Sequence, residues 1–321
     1  MLYYKMKKFN IGLAGYGTVG TSVVNIIESK KQYFKEVLNV EICIKKILVK
    51  SAKNRTVPPN SKIVYDKYLL INDDTLDCII AVMGGNTFAK DFIIQCLEKN
   101  ITVVTANKKF ICENLSYLYN TLSNNNTSQF GYEAAVCGGI PIINSLKHDY
   151  VSDRITECKG IFNGTTNFIL SNMEKDKIPY DIILKEAQDN GYAEADPTAD
   201  VDGYDALDKL VIMIQLTFGK ILNKDDIPIQ GIRRILLQDF EYAKSLDSTI
   251  KLLGVVRNVD DKLEAFVSPV LVKKQNIISN VNQANNIVNI TSENLGNTYY
   301  IGKGAGGYPT ANSVVNDVIQ L

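Results

Sequence analysis

The chain has no tryptophan, one histidine and no surplus of either charge, with 35 basic residues against 35 acidic ones among 321. A neutral chain offers no net field to draw in nucleic acid or an anionic membrane surface. His148 sits among polar neighbours in SLKHDY and reads as an exposed residue, which argues against a Ser-His or Cys-His nucleophile. Long apolar runs are missing too. LVIMIQLTFG, the most apolar helix candidate, is about half the length a bilayer requires. The opening MLYYKMKKFNIG lacks the apolar centre of a signal peptide, and Met6 is an alternative first residue to Met1. The six cysteines (Cys43, Cys78, Cys96, Cys112, Cys137 and Cys158) show neither CxxC nor zinc-ligand spacing. They read as reduced core residues of a cytoplasmic protein, and a transition-metal site is not expected.

What is present points to two domains, as the length allows. FNIGLA (9–14) runs into the glycine turn GYGTVG and then TSVVNIIESK, where Val19, Val23, Ile26 and Ile27 recur at helical spacing. VEICIKKILVK (40–50), LDCIIAVMGG (76–85) and ITVVTANK (101–108) read as strands, with DFIIQCLEKN (91–100) as a helix between the last two. Strands alternating with helices predict a doubly wound α/β sheet. SNNNTSQ (123–129) reads as a surface loop, after which the pattern changes. RITECKGIFNGTTNFIL (154–170) reads as strand, turn and helix start, and DIILKEAQDNG (181–191) as a helix ending at glycine. STIKLLGVVRNV, KLEAFVSPVLV and NTYYIGKGAGG read as successive strands, and PTANSVVNDVIQ as an amphipathic helix. The expectation is therefore a Rossmann domain over 1–130, with 302–321 returning to it, and an α+β catalytic and dimerisation domain over 131–301.

The turn carries Gly15, Gly17 and Gly20, with Thr18 and Val19 between. The first glycine permits the tight turn, the second admits a pyrophosphate, and the third lets strand and helix pack closely, with the helix N-terminus facing the phosphates. Between an apolar strand and an amphipathic helix, the pattern predicts a dinucleotide. A site selecting NAD ends its second strand in an acidic residue. Here stand Val49, Lys50 and Ser51, with Arg55 close behind, so a 2′-phosphate and NADP(H) are expected over NAD(H). Read alone, Lys50 and Arg55 are ordinary loop charges. GKGAGG (302–307) is not a P-loop, since no Ser or Thr follows Lys303 and Gly296 is one residue too far upstream.

Residues 193–209, AEADPTADVDGYDALDK, gather Glu194, Asp196, Asp200, Asp202, Asp205 and Asp208 ahead of Lys209. Leu207, Leu210, Val211 and Ile214 mark the buried face of a helix, with Asp205 and Lys209 four apart on the opposite face. An isolated pair of that kind is a solvated ion pair of little consequence. The upstream carboxylates, in a segment broken by Pro197 and Gly203, imply mutual repulsion that a bound cation would relieve, and a substrate ammonium fits. Lys108 in VVTANKK follows an apolar strand at the edge where open α/β sheets bind ligands.

GLAGYGTVG, VVTANKK, YEAAVCGGIPII, GIFNGTTNFIL, AQDNGYAEADPTADVDGYDALDKL and the terminal GAGG, in this order from residue 9 onward, together resemble the homoserine dehydrogenase family. The resemblance implies NAD(P)H-dependent reduction of L-aspartate 4-semialdehyde to L-homoserine, a step toward threonine, isoleucine and methionine. It implies that Lys209 and Lys108 handle the proton on the reacting oxygen, with Asp205 orienting Lys209. Glu194, Asp205 and the adjacent Asp200 would bind substrate, and Thr165 would lie near substrate and nicotinamide. Gly191, Gly304, Gly306 and Lys108 would contact the cofactor. A structural sodium ion is implied on the Glu133 carboxylate and the carbonyls of Val136, Gly138 and Ile140, an all-oxygen set suited to a hard cation. A homodimer through the strands of the second domain is also expected. Two departures stand out: Ala81 replaces an expected acidic residue, and the chain stops at Leu321, where longer relatives carry a regulatory domain or kinase. Threonine feedback through such a domain is thus not expected. The alternatives are another amino-acid oxidoreductase of the aspartate dehydrogenase type, and a non-catalytic NADP(H) sensor whose acidic loop binds a partner.

Overall fold

A computed structural model describes residues 6–51, 55–85, 87–124 and 129–321. Met1 and residues 125–128 of the expected 123–129 loop lie outside them, while residues 123 and 124 close the Leu115–Asn124 helix instead of opening a loop. The chain divides into two compact units, Met1–Gly139 with Gly306–Leu321, and Ile140–Ala305.

The first unit is built on a parallel sheet of six strands: β1 (Lys7–Ala14), β2 (Val40–Leu48), β3 (Lys62–Val64), β4 (Cys78–Ala81), β5 (Val103–Thr105) and β6 (Phe130–Gly131). Their order is β3-β2-β1-β4-β5-β6. The order reverses between β1 and β4, the switch point at which such sheets bind ligands outside the carboxyl ends of the strands. β4 and β5 are buried at every position, because helices cover both faces of a parallel sheet. Val23 and Ile27 of the Thr18–Ser29 helix join Ile11 and Leu13 of β1 in the core, together with Val314 and Val318 of the Gly307–Gln320 helix. That last helix returns to the first unit and buries its apolar stripe in the core there. Its Asp317 is buried and accepts the Glu133 backbone N–H at 2.9 Å, which ties the chain's end to the residues just after β6.

The second unit holds an antiparallel sheet in the order β11-β10-β7-β8-β9. Its strands are β7 (Ile155–Ile161), β8 (Ser248–Val259), β9 (Lys262–Lys273), β10 (Asn285–Ser292) and β11 (Gly296–Lys303). Asp260 and Asp261, at φ 48° and 61°, form a two-residue hairpin loop between β8 and β9, the left-handed pair that matches strand twist. The Tyr204–Phe218 helix packs against β7 and β8, and the Gly164–Asp176 helix against β8 and β10. β10, NNIVNITS, was not expected as a strand, since asparagine is poor in sheets. It is an interior strand nonetheless, between β11 and β7: Ile287, Val288 and Ile290 are buried, and Asn289 donates to the Thr298 carbonyl at 3.0 Å.

Candidate active site

In the first unit the glycine turn leaves β1 at its carboxyl end. Gly15 has φ +103°, and a Cβ there would lie 2.8 Å from the Val82 carbonyl oxygen. A Cβ on Gly20 would stand 2.1 Å from the Gly15 carbonyl oxygen, so the helix packs on its own turn. Gly17 differs, for a Cβ there would meet nothing within 4 Å. It is also the N-cap of the Thr18–Ser29 helix and provides no side-chain cap. The first-turn N–H groups thus keep their donors for another acceptor, and the open face at Gly17 fits a pyrophosphate. Tyr16 donates to the Thr56 carbonyl at 2.7 Å, which draws the segment after β2 toward the turn. Burial raises the Tyr16 phenol's pKa while the nearby Arg55 guanidinium lowers it, so Arg55 lies within electrostatic reach of the turn. Lys50, just past β2, is exposed.

Lys108 begins a short helix, Lys108–Glu113, capped by the Asn107 side chain, which accepts the Phe110 N–H at 3.1 Å. The buried Thr105 hydroxyl donates to the Ala81 carbonyl at 2.7 Å and accepts the Asn107 N–H. These bonds join the ends of β4 and β5 and fix where Lys108 starts. An acidic side chain in place of Ala81, which is 1% exposed, would be buried beside that junction.

In the second unit the acidic window has a different electrostatic character from the one expected. Asp202 makes a bidentate pair with Arg233 at 2.5 and 3.2 Å. Asp208 faces the Lys224 ammonium at 3.6 Å. Asp205 pairs with Lys209 at 2.7 Å. Asp196 caps the turn at Thr198, whose hydroxyl and N–H hold its carboxyl below the usual range. The mutual repulsion expected to call for a bound cation is therefore largely cancelled from within, because Arg233 and Lys224 fold back on the window. Glu194 is the exception. It is exposed, and its carboxylate has no partner among the described residues. Gln188 holds its loop by donating to the Glu194 and Ala195 carbonyls at 3.1 and 3.3 Å.

The Asp205–Lys209 pair is not the solvated pair that its helical spacing alone would allow. Asp205 is 6% and Lys209 8% exposed, near the start of the Tyr204–Phe218 helix. Lys209 Nζ also donates to the Phe162 carbonyl at 2.6 Å. Asn163, at the end of β7, donates from Nδ2 to Asp200 Oδ1 at 2.7 Å and to Asp205 Oδ2 at 2.9 Å. An ammonium has three N–H donors. Two are engaged here, and the third has no acceptor among the described residues. The Thr165 hydroxyl gives its proton to the Tyr192 carbonyl at 2.6 Å, which leaves its oxygen as an acceptor. Phe162, Asn163, Arg233 and Lys224 were not singled out from the sequence. NGTTN displays Asn163 openly, but nothing local tells that a residue ending a strand will meet carboxylates some forty positions on.

The anticipated site residues fall in both units. Gly15, Gly17, Thr18, Val19, Gly20, Lys50, Arg55, Lys108 and Gly306 belong to the first, and Thr165, Gly191, Glu194, Asp200, Asp205, Lys209 and Gly304 to the second. Gly191 follows the Tyr180–Asp189 helix at φ +73°, exposed and with open space around it. Gly304 is buried, and a Cβ there would overlap the Asn286 side chain at 2.1 Å. Among the oxygens expected on sodium, the Glu133 carboxylate is buried, and Cys137 and Gly138 both take left-handed backbone at φ 53° and 49°. The Gly138 carbonyl already accepts from Ser313 Oγ at 2.7 Å and that of Ile140 from the Ile142 N–H at 2.8 Å, each keeping a second lone pair. The donor set fits an alkali cation in kind. Among the described residues no group of three or more His, Cys, Asp or Glu side chains could hold a metal, and none of the six cysteines forms a disulfide. His148 is exposed at the end of the Ile142–His148 helix. No helix among the described residues is long and apolar enough to cross a membrane.

Comparison with known proteins covers both units. Residues 15–130 match the family described as "Homoserine dehydrogenase, NAD binding domain", and residues 141–319 the family "Homoserine dehydrogenase". A homoserine dehydrogenase of Bacillus subtilis is 40% identical over 318 residues, which cover 98% of this chain and 73% of that protein. One from Helicobacter pylori is 38% identical, over 98% of this chain and 74% of its own length. The crystal structure of a homoserine dehydrogenase from Thiobacillus denitrificans superposes with a TM-score of 0.93 at 34% identity, covering 99% of this chain and 74% of that one. A hyperthermophilic archaeal homoserine dehydrogenase in complex with NADPH gives a TM-score of 0.81 at 25% identity, covering 98% and 97%.

Proposed function

The chain belongs to the homoserine dehydrogenase family, and from that premise we propose that it reduces L-aspartate 4-semialdehyde to L-homoserine, reversibly, with NADP(H) preferred over NAD(H). Neither alternative oxidoreductase nor sensor is favoured by relatives that match over nearly the whole chain. The observation that carries the chemistry is the buried Lys209 ammonium, held by Asp205 and the Phe162 carbonyl with one N–H left over.

Glu194 takes the substrate's α-ammonium, since it is the exposed carboxylate of the window with no partner among the described residues, whereas Asp196 is occupied by Thr198; Asp200 adds negative charge nearby. A bound nicotinamide supplies hydride to the aldehyde carbon. As charge develops on the aldehyde oxygen, Lys209 directs its third N–H to that oxygen and gives up the proton, producing the alcohol. Asp205 keeps the ammonium aimed and stabilises the positive charge before transfer. Lys108 places a second positive charge at the reacting oxygen. The Thr165 oxygen, its own proton committed to Tyr192, accepts from the substrate. Gly15, Gly17, Thr18, Val19 and Gly20 would receive the pyrophosphate, Lys50 and Arg55 the 2′-phosphate, and Gly191, Gly304 and Gly306 would contact the cofactor. The Glu133 carboxylate and the carbonyls of Val136, Gly138 and Ile140 would hold a sodium ion. The edge strands β9 and β11, with Leu271 and Ile301 exposed, support a homodimer through the antiparallel sheet. Cysteines without disulfides accord with the cytoplasm, and the reaction places the protein in threonine, isoleucine and methionine biosynthesis.

The test is homoserine oxidation followed at 340 nm with NADP and NAD side by side, for the parent and for Lys209→Ala and Lys108→Ala. Each variant is expected to lose on the order of 100-fold or more in kcat, as when a general acid is removed, with cofactor affinity nearly intact. A Lys209→Ala enzyme turning over near the parent rate would sink the assignment.

A further inference from the structure

We propose that Asn163 is a positioning residue of this reaction: its side-chain amide bridges Asp200 and Asp205 and thereby fixes the carboxylate that aims Lys209. This rests on the reading of Lys209 as proton donor. Asn163 is 3% exposed and forms the N-cap of the Gly164–Asp176 helix, its Oδ1 accepting the Thr166 N–H at 2.8 Å. The amide's orientation follows from its neighbours. Turned over, its oxygen would face two carboxylates and its NH2 a backbone donor.

Capping accounts for only half of this side chain. Serine, threonine or aspartate caps a helix as well as asparagine does, and none of them carries an NH2. Here both hydrogens of that NH2 are used, one on Asp200 Oδ1 and one on Asp205 Oδ2. Two carboxylates within reach of one nitrogen repel each other, and a shared donor offsets that repulsion. Asp205 Oδ2 is also the atom that receives Lys209 Nζ. One oxygen is therefore pinned from two directions, by the amide and by the ammonium. The residue before, Phe162, holds the same ammonium through its carbonyl. Two consecutive residues at the end of β7 thus hold both members of the ion pair. The segment runs close against the chain at Ala284, since a Cβ on Gly164 would lie 2.7 Å from the Ala284 carbonyl oxygen. Without the amide, Asp205 Oδ2 loses one of its two holds, and the N–H that Lys209 offers to substrate is aimed less tightly. Misaimed proton transfer lowers turnover while leaving ground-state binding in place.

Two variants separate bridging from capping. Asn163→Ser keeps a capping oxygen, adds no charge and cannot reach the carboxylates. Asn163→Asp keeps cap and size but sets a third carboxyl against Asp200 and Asp205. Both are measured in the full chain alongside Lys209→Ala, with thermal melting and NADPH binding as checks on the fold. The expected result is a folded Asn163→Ser enzyme with unchanged NADPH affinity and kcat lower by on the order of 10- to 100-fold, the scale of a misplaced reacting group. Its solvent deuterium isotope effect on kcat should also rise, and Asn163→Asp should be slower still. A cap-only role predicts near-parent kcat and an unchanged isotope effect in both, and that result overturns the proposal. Failure of Asn163→Ser to fold overturns it as well, by showing the bridge to be structural; an unfolded Asn163→Asp leaves the decision to serine. If Lys209→Ala itself turns over at the parent rate, the underlying reading fails. If Lys209→Ala is inactive while Asn163→Ser is fast, only the role of Asn163 falls.

Discussion

Lys209 and Lys251 are both buried ammonium groups in the second unit, and they differ in what faces them. Lys209 has the Asp205 carboxylate at 2.7 Å. Lys251, 1% exposed on β8, meets only neutral oxygens: the Val281 carbonyl at 2.8 Å, Asn282 Oδ1 at 2.9 Å, Asn167 Oδ1 at 3.2 Å and Ser171 Oγ at 3.4 Å. Burial lowers its pKa to about 8 from an ordinary 10.5, against a smaller opposing pull from Glu174. Between those values the unfolded chain binds a proton that the folded chain does not. This lysine therefore costs most below pH 8, and its contribution to stability improves as pH rises toward 10.5. The full swing is on the order of 3 kcal/mol. Urea unfolding at pH 7.5 and pH 10 should show the parent gaining relative to Lys251→Met across that interval. Equal changes in the two proteins would mean that the ammonium is not held away from water. Lys50 and Arg55 carry a prediction of the other kind, since both lie at the surface of the first unit beside the glycine turn. The double variant Lys50→Ala/Arg55→Ala should raise KM for NADPH by on the order of 10-fold, the loss of one or two charge-assisted contacts. KM for NADH should change little, and an equal rise for both cofactors would remove the 2′-phosphate assignment.

At the scale of elements, the turn from β1 into the Thr18–Ser29 helix separates two kinds of glycine. A Cβ on Gly20 would stand 2.1 Å from the Gly15 carbonyl oxygen, too close for any side chain, whereas Gly17 has open space. Gly20→Ala should then lower the melting temperature and cofactor binding together. Gly17→Ala should melt like the parent yet bind NADPH more weakly by on the order of 10-fold or more, because only a pyrophosphate would meet the added methyl. Equal melting losses in the two variants would contradict this division. The turn was legible from sequence because its signal is local: an apolar strand, three glycines and a 3.6-residue period lie within about twenty positions. β10 was not legible, because the three asparagines of NNIVNITS interrupt the strand signal of Ile287, Val288, Ile290 and Thr291. Its place inside the sheet comes from pairing with β7 and β11, and Asn289 donates to the Thr298 carbonyl across to β11, a partner the local sequence does not reveal.

Across the whole molecule, the alternation of strands and helices and then its loss near residue 130 announced a parallel sheet followed by an α+β region. The return of the last helix was legible too, from its apolar stripe. Those features are periodicities, and a periodicity is set by which neighbours along the chain share a face. The electrostatics of the acidic window were not open to the same reading. Counting charges along 193–209 predicts a site starved of cations, yet Arg233 and Lys224 supply two from beyond the window. The amino-acid order by itself determined the dinucleotide turn, the fold class and the Asp205–Lys209 spacing, since each is written in nearby residues. Only the tertiary structure decided that this pair is buried, that Phe162 and Asn163 hold it, and that the Glu194 carboxylate has no partner among the described residues. Charges and hydrogen bonds act through space at a few ångströms, and which groups come that close is a property of the folded chain.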